Sequence, residues 1–117
     1  MIKWRDKDIE KLNHLRSYLM NNRPKYRKNL VEEVWAAAKD KDDKVFDPYN
    51  KEVELTWNKS ESRYRQWHMG HRRKHKYSNL VDEYIGHRNY DKFLEDYNNP
   101  KYYHPQDPKS NMSHENE

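Results

Sequence analysis

The sequence predicts an α+β fold in which helices pack on short antiparallel strands around a small aromatic core. Three observations carry this. Between Pro24 and Lys39, the residues Leu30, Val31, Val34, Trp35 and Ala38 recur at i, i+1, i+4, i+5 and i+8, the stripe of a helix that buries one face. From Val45 to Trp57 the period changes: an Asp47-Pro48-Tyr49-Asn50 turn separates a short apolar run from the alternation Val53, Leu55, Trp57, which reads as a hairpin. Finally, hydrophobic residues make up 32% of the chain and charged residues 38%, with mean hydropathy −1.64. Those values approach the composition of disordered chains. Ten Tyr and four Trp argue for folding, because each buries a large area while keeping a polar tip wet.

In chain order, Asp6 to Asn21 carries Ile9, Leu12, Leu15 and Leu19 at mostly helical spacing, with Asp6 and Asp8 placed to favour an N-terminus. Asn21-Asn22-Arg23-Pro24 breaks that pattern, and Pro24 suits the first turn of the next helix. Asp40 to Asp43 is a solvated connection. After the hairpin, residues 58–62 read as a polar loop, and Arg65 to His71 as an extended segment in which Gly70 suggests a special backbone geometry. Ser78 to Ile85 and Asn89 to Tyr97 read as short helices, with Ser78 or Asn79 capping the first and Asn89 the second. Asn98 to Lys109, with Pro100, Pro105 and Pro108, is expected to be irregular. A last helix opens between Asn111 and Glu117. The 117 residues suit a single domain, with helices in 1–43 and the hairpin and functional core in 44–117.

Net charge is +4 and the sequence pI is near 9.1, so a polyanionic partner is compatible but not demanded. With no cysteine, disulfides and thiolate metal sites are excluded, and any metal must be held by His, carboxylate or amide. No run of 18 apolar residues is present and residues 1–20 lack the apolar stretch of a secretory signal, so no membrane association is expected.

The distribution of charge says more than its sum. From Arg63 to Lys76 there are six Arg or Lys residues, three histidines and no carboxylate. Arg63, Arg65, Arg72, Arg73, Lys74 and Lys76 suit phosphate contacts, or simply a solvated basic surface. In that field His71 is a candidate general base; a hydrogen-bonded surface histidine is the plainer account. At the far end, His114 and Glu117 stand at i, i+3, one helical face, and suit two ligands of a divalent ion; an ordinary polar C-terminus is the alternative. Asn111 is a candidate to orient the base or bind the backbone, or to cap a helix. Trp57 and Trp67 are more naturally core residues than stacking platforms. His68, His75, His87 and His104 have no evident partner, and a three-imidazole zinc site would leave Glu117 unexplained. The two stretches are expected to meet as a metal-dependent nuclease site.

Joined in order, the run Val45, Asp47-Pro48, Val53, Trp57, Arg65-Gln66-Trp67-His68-Met69-Gly70-His71, then Phe93, Tyr97-Asn98-Asn99-Pro100, Tyr103-His104-Pro105, Pro108, Ser110-Asn111, Ser113-His114 and Glu117 resembles the GH-E family. That family is a clade of the HNH/endonuclease VII superfamily, found as C-terminal toxin domains of bacterial polymorphic toxins. The similarity covers about residues 26–117. In place of the Lys-Pro-Gly-like turn that follows Gly-His in many relatives, this chain has Arg72-Arg73-Lys74-His75.

The resemblance implies a small ββα-metal nuclease core with accessory helices. His71 would be the general base, Asn111 a further catalytic residue, and His114 and Glu117 would bind one divalent ion (Mg²⁺, Mn²⁺, Ni²⁺ or Zn²⁺). It implies hydrolysis of DNA, with RNA as the alternative substrate. It also implies delivery as the tail of a larger secreted toxin, action in a target-cell cytoplasm, and a cognate, acidic immunity protein. A non-catalytic nucleic-acid-binding module and a protein-interaction domain are the competing classes.

Overall fold

The computed structural model describes residues 6–113, with side chains from Asp8 to Asn111. In order come α1 (Asp6–Asn21), α2 (Leu30–Ala38), β1 (Val45–Phe46), β2 (Glu54–Leu55), β3 (His68–His71), α3 (Tyr77–His87), α4 (Tyr90–Tyr97), β4 (Tyr103–Gln106) and α5 (Pro108–Ser113). Single 3-10 turns stand at Arg63–Arg65, Arg73–His75 and Pro100–Tyr102. The architecture is α+β, with two separate two-stranded antiparallel sheets, β1-β2 and β3-β4.

Apolar packing divides into two clusters. One joins Leu30 and Val34 of α2 to Val45, Leu55, Trp67, Met69 and Tyr103. The other joins Leu19 of α1 to Tyr77, Leu80 and Val81 of α3 and Phe93 and Tyr97 of α4. Tyr26 packs against both, stacking on Tyr97 at 5.5 Å and meeting Tyr103 edge-on at 5.9 Å. The tyrosine tips are satisfied where they are buried: the Tyr77 hydroxyl donates to the Leu19 carbonyl and the Tyr103 hydroxyl to the Tyr97 carbonyl at 2.6 Å. A chain poor in aliphatic residues thus reaches a dry interior with phenols whose oxygens keep a backbone partner.

The hairpin forms where the alternation places it, with Val45 opposite Leu55 and Phe46 opposite Glu54. Asp47 holds its turn. This carboxylate is 1% exposed and accepts from the backbone N–H of Tyr49 (3.0 Å), Asn50 (2.8 Å) and, across the fold, Asp107 (2.8 Å). Three charge-assisted bonds offset its desolvation and tie the hairpin to the start of α5. Asp107 in turn caps α5, its Oδ2 accepting from Lys109 N at 3.1 Å and Ser110 N at 3.4 Å.

Four local expectations need correction. The second helix starts at Leu30, not Pro24; residues 24–27 are not helical and 28–29 form a turn with Asn29 at φ 72°, because Tyr26 must reach both clusters and the Arg27 N–H is donated to Asn98 Oδ1 at 2.8 Å. The segment 98–109 is not irregular: it contains β4, paired with β3 from His68↔Gln106 to His71↔Tyr103. Pro105 is tolerated there because each strand of a two-stranded ladder has an outward side, where a missing N–H breaks no pairing. Neither Ser78 nor Asn79 caps α3, which starts at Tyr77, whereas Asn89 does cap α4, accepting from Lys92 N at 3.0 Å. Gly70, finally, has no positive φ. It is required by space: a Cβ there would collide with Gln106 Oε1 and lie 2.9 Å from His104 Cδ2.

Gly70→Ala should therefore cost about 1–3 kcal/mol through overpacking, read by urea denaturation, and Gly70→Ala/Gln106→Ala should recover part of it. Asp47→Ala leaves three N–H groups without their acceptor and should destabilise by roughly 3 kcal/mol; a loss below about 0.5 kcal/mol would mean that the tie to α5 is dispensable.

Candidate active site

His71 closes β3 and is 8% exposed, its ring 4.6 Å from that of Tyr103 and 6.3 Å from that of Tyr77. Its Nδ1 lies 3.0 Å from the His75 carbonyl oxygen. A carbonyl only accepts, so Nδ1 carries the proton and Nε2 keeps the lone pair. The 3-10 turn Arg73–His75 curls the chain back to supply that oxygen. Facing Nε2 is the Arg23 Nη1, 3.5 Å away, from a guanidinium that also sits 4.5 Å over the Tyr77 ring. Burial, then the Arg23 charge and a smaller repulsion from His104, push His71 down to about 4, against the opposing pull of the His75 carbonyl. At neutral pH the imidazole is an uncharged base with its tautomer set.

His68 lies three residues earlier and, by strand alternation, on the opposite face. Its Nε2 donates to the Tyr64 carbonyl at 2.9 Å, leaving Nδ1 to accept from the Asn111 amide nitrogen at 2.9 Å. The Tyr64 ring stacks on it at 4.0 Å, and burial lowers its pKa. Both ring nitrogens are engaged, so His68 is a positioning residue rather than a base. It commits the amide nitrogen of Asn111, which leaves Oδ1 as that side chain's oxygen donor.

The segment beginning at Ser110 therefore does meet β3, but through His68. Asn111 lies inside α5 rather than at its cap, and its amide is bonded to His68, not to His71. His114 and Glu117 lie outside the described residues. Among the described residues no group of three or more His, Cys, Asp or Glu side chains stands close enough to hold a metal ion. What the described part offers a divalent ion is the Asn111 oxygen, within the last helix. An amide oxygen followed by an imidazole and a carboxylate is a donor set that suits a hard or borderline divalent cation.

The basic stretch is divided. Arg63 is half-buried; it donates to the Trp67 carbonyl at 2.9 Å and lies 5.1 Å over the Trp67 ring, with burial lowering its pKa. It is a packing residue as much as a cation. Arg65, Arg72, Arg73 and Lys74 are exposed, Lys76 is half-buried, and no ion pair among the described residues involves any of them. The sequence singled out neither Arg23 nor the role of His68. Strand alternation held a signal for His68; for Arg23, 48 positions from His71, there was none.

Because unfolded His71 titrates near 6.5 and folded His71 near 4, the unfolded chain binds more protons between those values. Its contribution is complete above pH 6.5 and is lost as pH falls towards 4, about 3 kcal/mol in all. The stability difference between wild type and His71→Asn, from urea midpoints, should shrink by that amount over this window. A difference that does not vary with pH would show an unperturbed imidazole.

No solved structure matches the chain significantly. The family described as "HNH/ENDO VII superfamily nuclease with conserved GHE residues" matches residues 42–117. That span holds Gly70 and His71 and runs through the hairpin, both strands of the second sheet and the helix that follows them. With well over half of its length matched, the chain belongs to the GH-E family of HNH/ENDO VII superfamily nucleases.

Proposed function

We propose that this nuclease is a metal-dependent endonuclease that hydrolyses the phosphodiester bonds of DNA, with His71 as general base. The observation that carries this reading is the His71 ring: proton fixed on Nδ1 by the His75 carbonyl, lone pair on Nε2, and neutral at pH 7. Nε2 takes a proton from a water, the water oxygen bonds to phosphorus in line, and the bond to the leaving 3′ oxygen breaks. His114, Glu117 and the Asn111 oxygen are the residues that would hold a divalent ion. The chemistry such an ion supplies is polarisation of the scissile phosphate and neutralisation of charge on the departing oxygen. His68 keeps the Asn111 amide from rotating. The exposed Arg65, Arg72, Arg73 and Lys74 are suited to backbone phosphates, which carry no sequence information, so little sequence preference is expected.

RNA remains the second substrate reading, since neither the charge nor the hydrolysis distinguishes it. The family resemblance supports a biological role as a toxin domain, carried by a larger secreted polypeptide into the cytoplasm of a competitor. The producing cell is then protected by an immunity protein, and an acidic face would suit the cations of residues 65–76. No described helix is long and apolar enough to cross a membrane.

Supercoiled plasmid incubated with Mg²⁺, Mn²⁺, Ni²⁺ or Zn²⁺ should be nicked and linearised. EDTA should abolish cleavage, and His71→Ala should lower it at least about 10²-fold. Intact plasmid with every metal, together with cleaved RNA, would assign the substrate as RNA. Binding of both without cleavage would favour a non-catalytic module. Arg72→Ala/Arg73→Ala/Lys74→Ala should weaken duplex binding and flatten its salt dependence, by close to one unit of slope per lost phosphate contact.

A further inference from the structure

Nothing in the chemistry of the family-matched residues accounts for Arg23. It lies on the connection between α1 and α2, outside residues 42–117, yet its guanidinium is aimed at the one ring nitrogen of His71 that holds a lone pair. The placement is built. Leu19 of α1 packs with the α3 and α4 residues of the second cluster, the Asn22 N–H closes the end of α1 on the Leu19 carbonyl, and the Tyr77 ring supports the guanidinium. One face of Arg23 is occupied by that ring, while its edge donors face Nε2 and solvent. The side chain is exposed and no ion pair among the described residues includes it.

We propose that Arg23 is the phosphate-anchoring residue of the active site, binding a non-bridging oxygen of the scissile phosphodiester and leaving His71 Nε2 as it does so. The proposal rests on the reading of His71 as base. A lone pair directed at a cationic N–H is not available to a water, so the free enzyme holds its base covered. A phosphate oxygen is a stronger partner for a guanidinium than a neutral imidazole is. Its arrival recruits Arg23, uncovers Nε2, and brings negative charge beside His71. The groups facing this ring are Arg23, His104, Tyr77, Tyr103 and the His75 carbonyl. Among the described residues none of them is a carboxylate, and a substrate phosphate is an anion that would balance Arg23 there. The N-terminal helices thereby become part of the catalytic unit.

The test pairs cleavage kinetics with a metal-free readout. Arg23→Ala should lower kcat/KM on plasmid by about 10²-fold, with Arg23→Lys recovering part. In EDTA, a 12-bp DNA duplex should shift the His71 ring resonances of wild type, and this shift should vanish in Arg23→Ala. If Arg23→Ala lowers the melting temperature, Arg23→Gln becomes the deciding variant. A kcat/KM within about twofold of wild type, beside an inactive His71→Ala, would overturn the anchor and leave the base intact. Should His71→Ala retain cleavage, the base reading fails instead. Duplex affinity in EDTA then decides for Arg23: a loss of about fivefold or more supports the anchor and an unchanged affinity rejects it.

Discussion

The pairing of β3 with β4 is the constraint on which the rest depends. Four residue pairs, His68↔Gln106 to His71↔Tyr103, bring together segments separated by the whole of residues 72–102. A slip of one residue would exchange the two faces, sending His71 to the α5 side and His68 into the tyrosine cluster. The register is protected by shape on one face, where Gly70 makes room for the Gln106 side chain. On the other it is protected by aromatic contact between His71 and Tyr103. Gln106 then donates to Ser110 Oγ at 3.1 Å, so one buried amide locks the strand against the helix that follows.

The same strand divides two histidines between two tasks. His71 keeps one ring nitrogen able to accept a proton; His68 commits both of its nitrogens, one to the Tyr64 carbonyl and the other to the Asn111 amide. Burial keeps both rings neutral, and neutrality serves different ends: a lone pair for chemistry on one face, an acceptor for an amide on the other. The sheet separates these roles without any change of backbone conformation.

Sequence periodicity was informative where one element decides its own fate. The α2 stripe and the hairpin alternation are local, and the structure forms both. It failed where a partner far along the chain decides. Tyr103 to Gln106 contains a proline and has no alternation of its own; only the presence of β3 makes it a strand. Residues 24–29 pass local tests for a helix, yet Tyr26 and the Arg27 N–H are claimed by tertiary partners. Of the site, His71 was legible from the basic stretch around it and Gly70 from its residue type, with the resemblance adding their family match, while the carbonyl of His75, the amide clamp of His68 and the guanidinium of Arg23 are matters of three-dimensional approach. Gly70 shows a subtler limit: its residue type was noticed, but the reason is crowding by Gln106, not an unusual torsion.

Because His71 and Tyr103 face each other directly, the helices between them form a closed excursion that leaves the sheet and returns to the same place. Its far end is the exposed end of α3 at Gly86-His87 and the Arg88-Asn89 connection to α4. Added Cβ bulk at Gly86 meets nothing within 4 Å. Length can therefore change at that tip without moving either strand, as exposed loop tips generally allow. For protein engineering this makes the α3–α4 tip the natural place to split the enzyme. Two fragments divided there would separate β3 from β4, and nuclease function would return only when the halves reassemble.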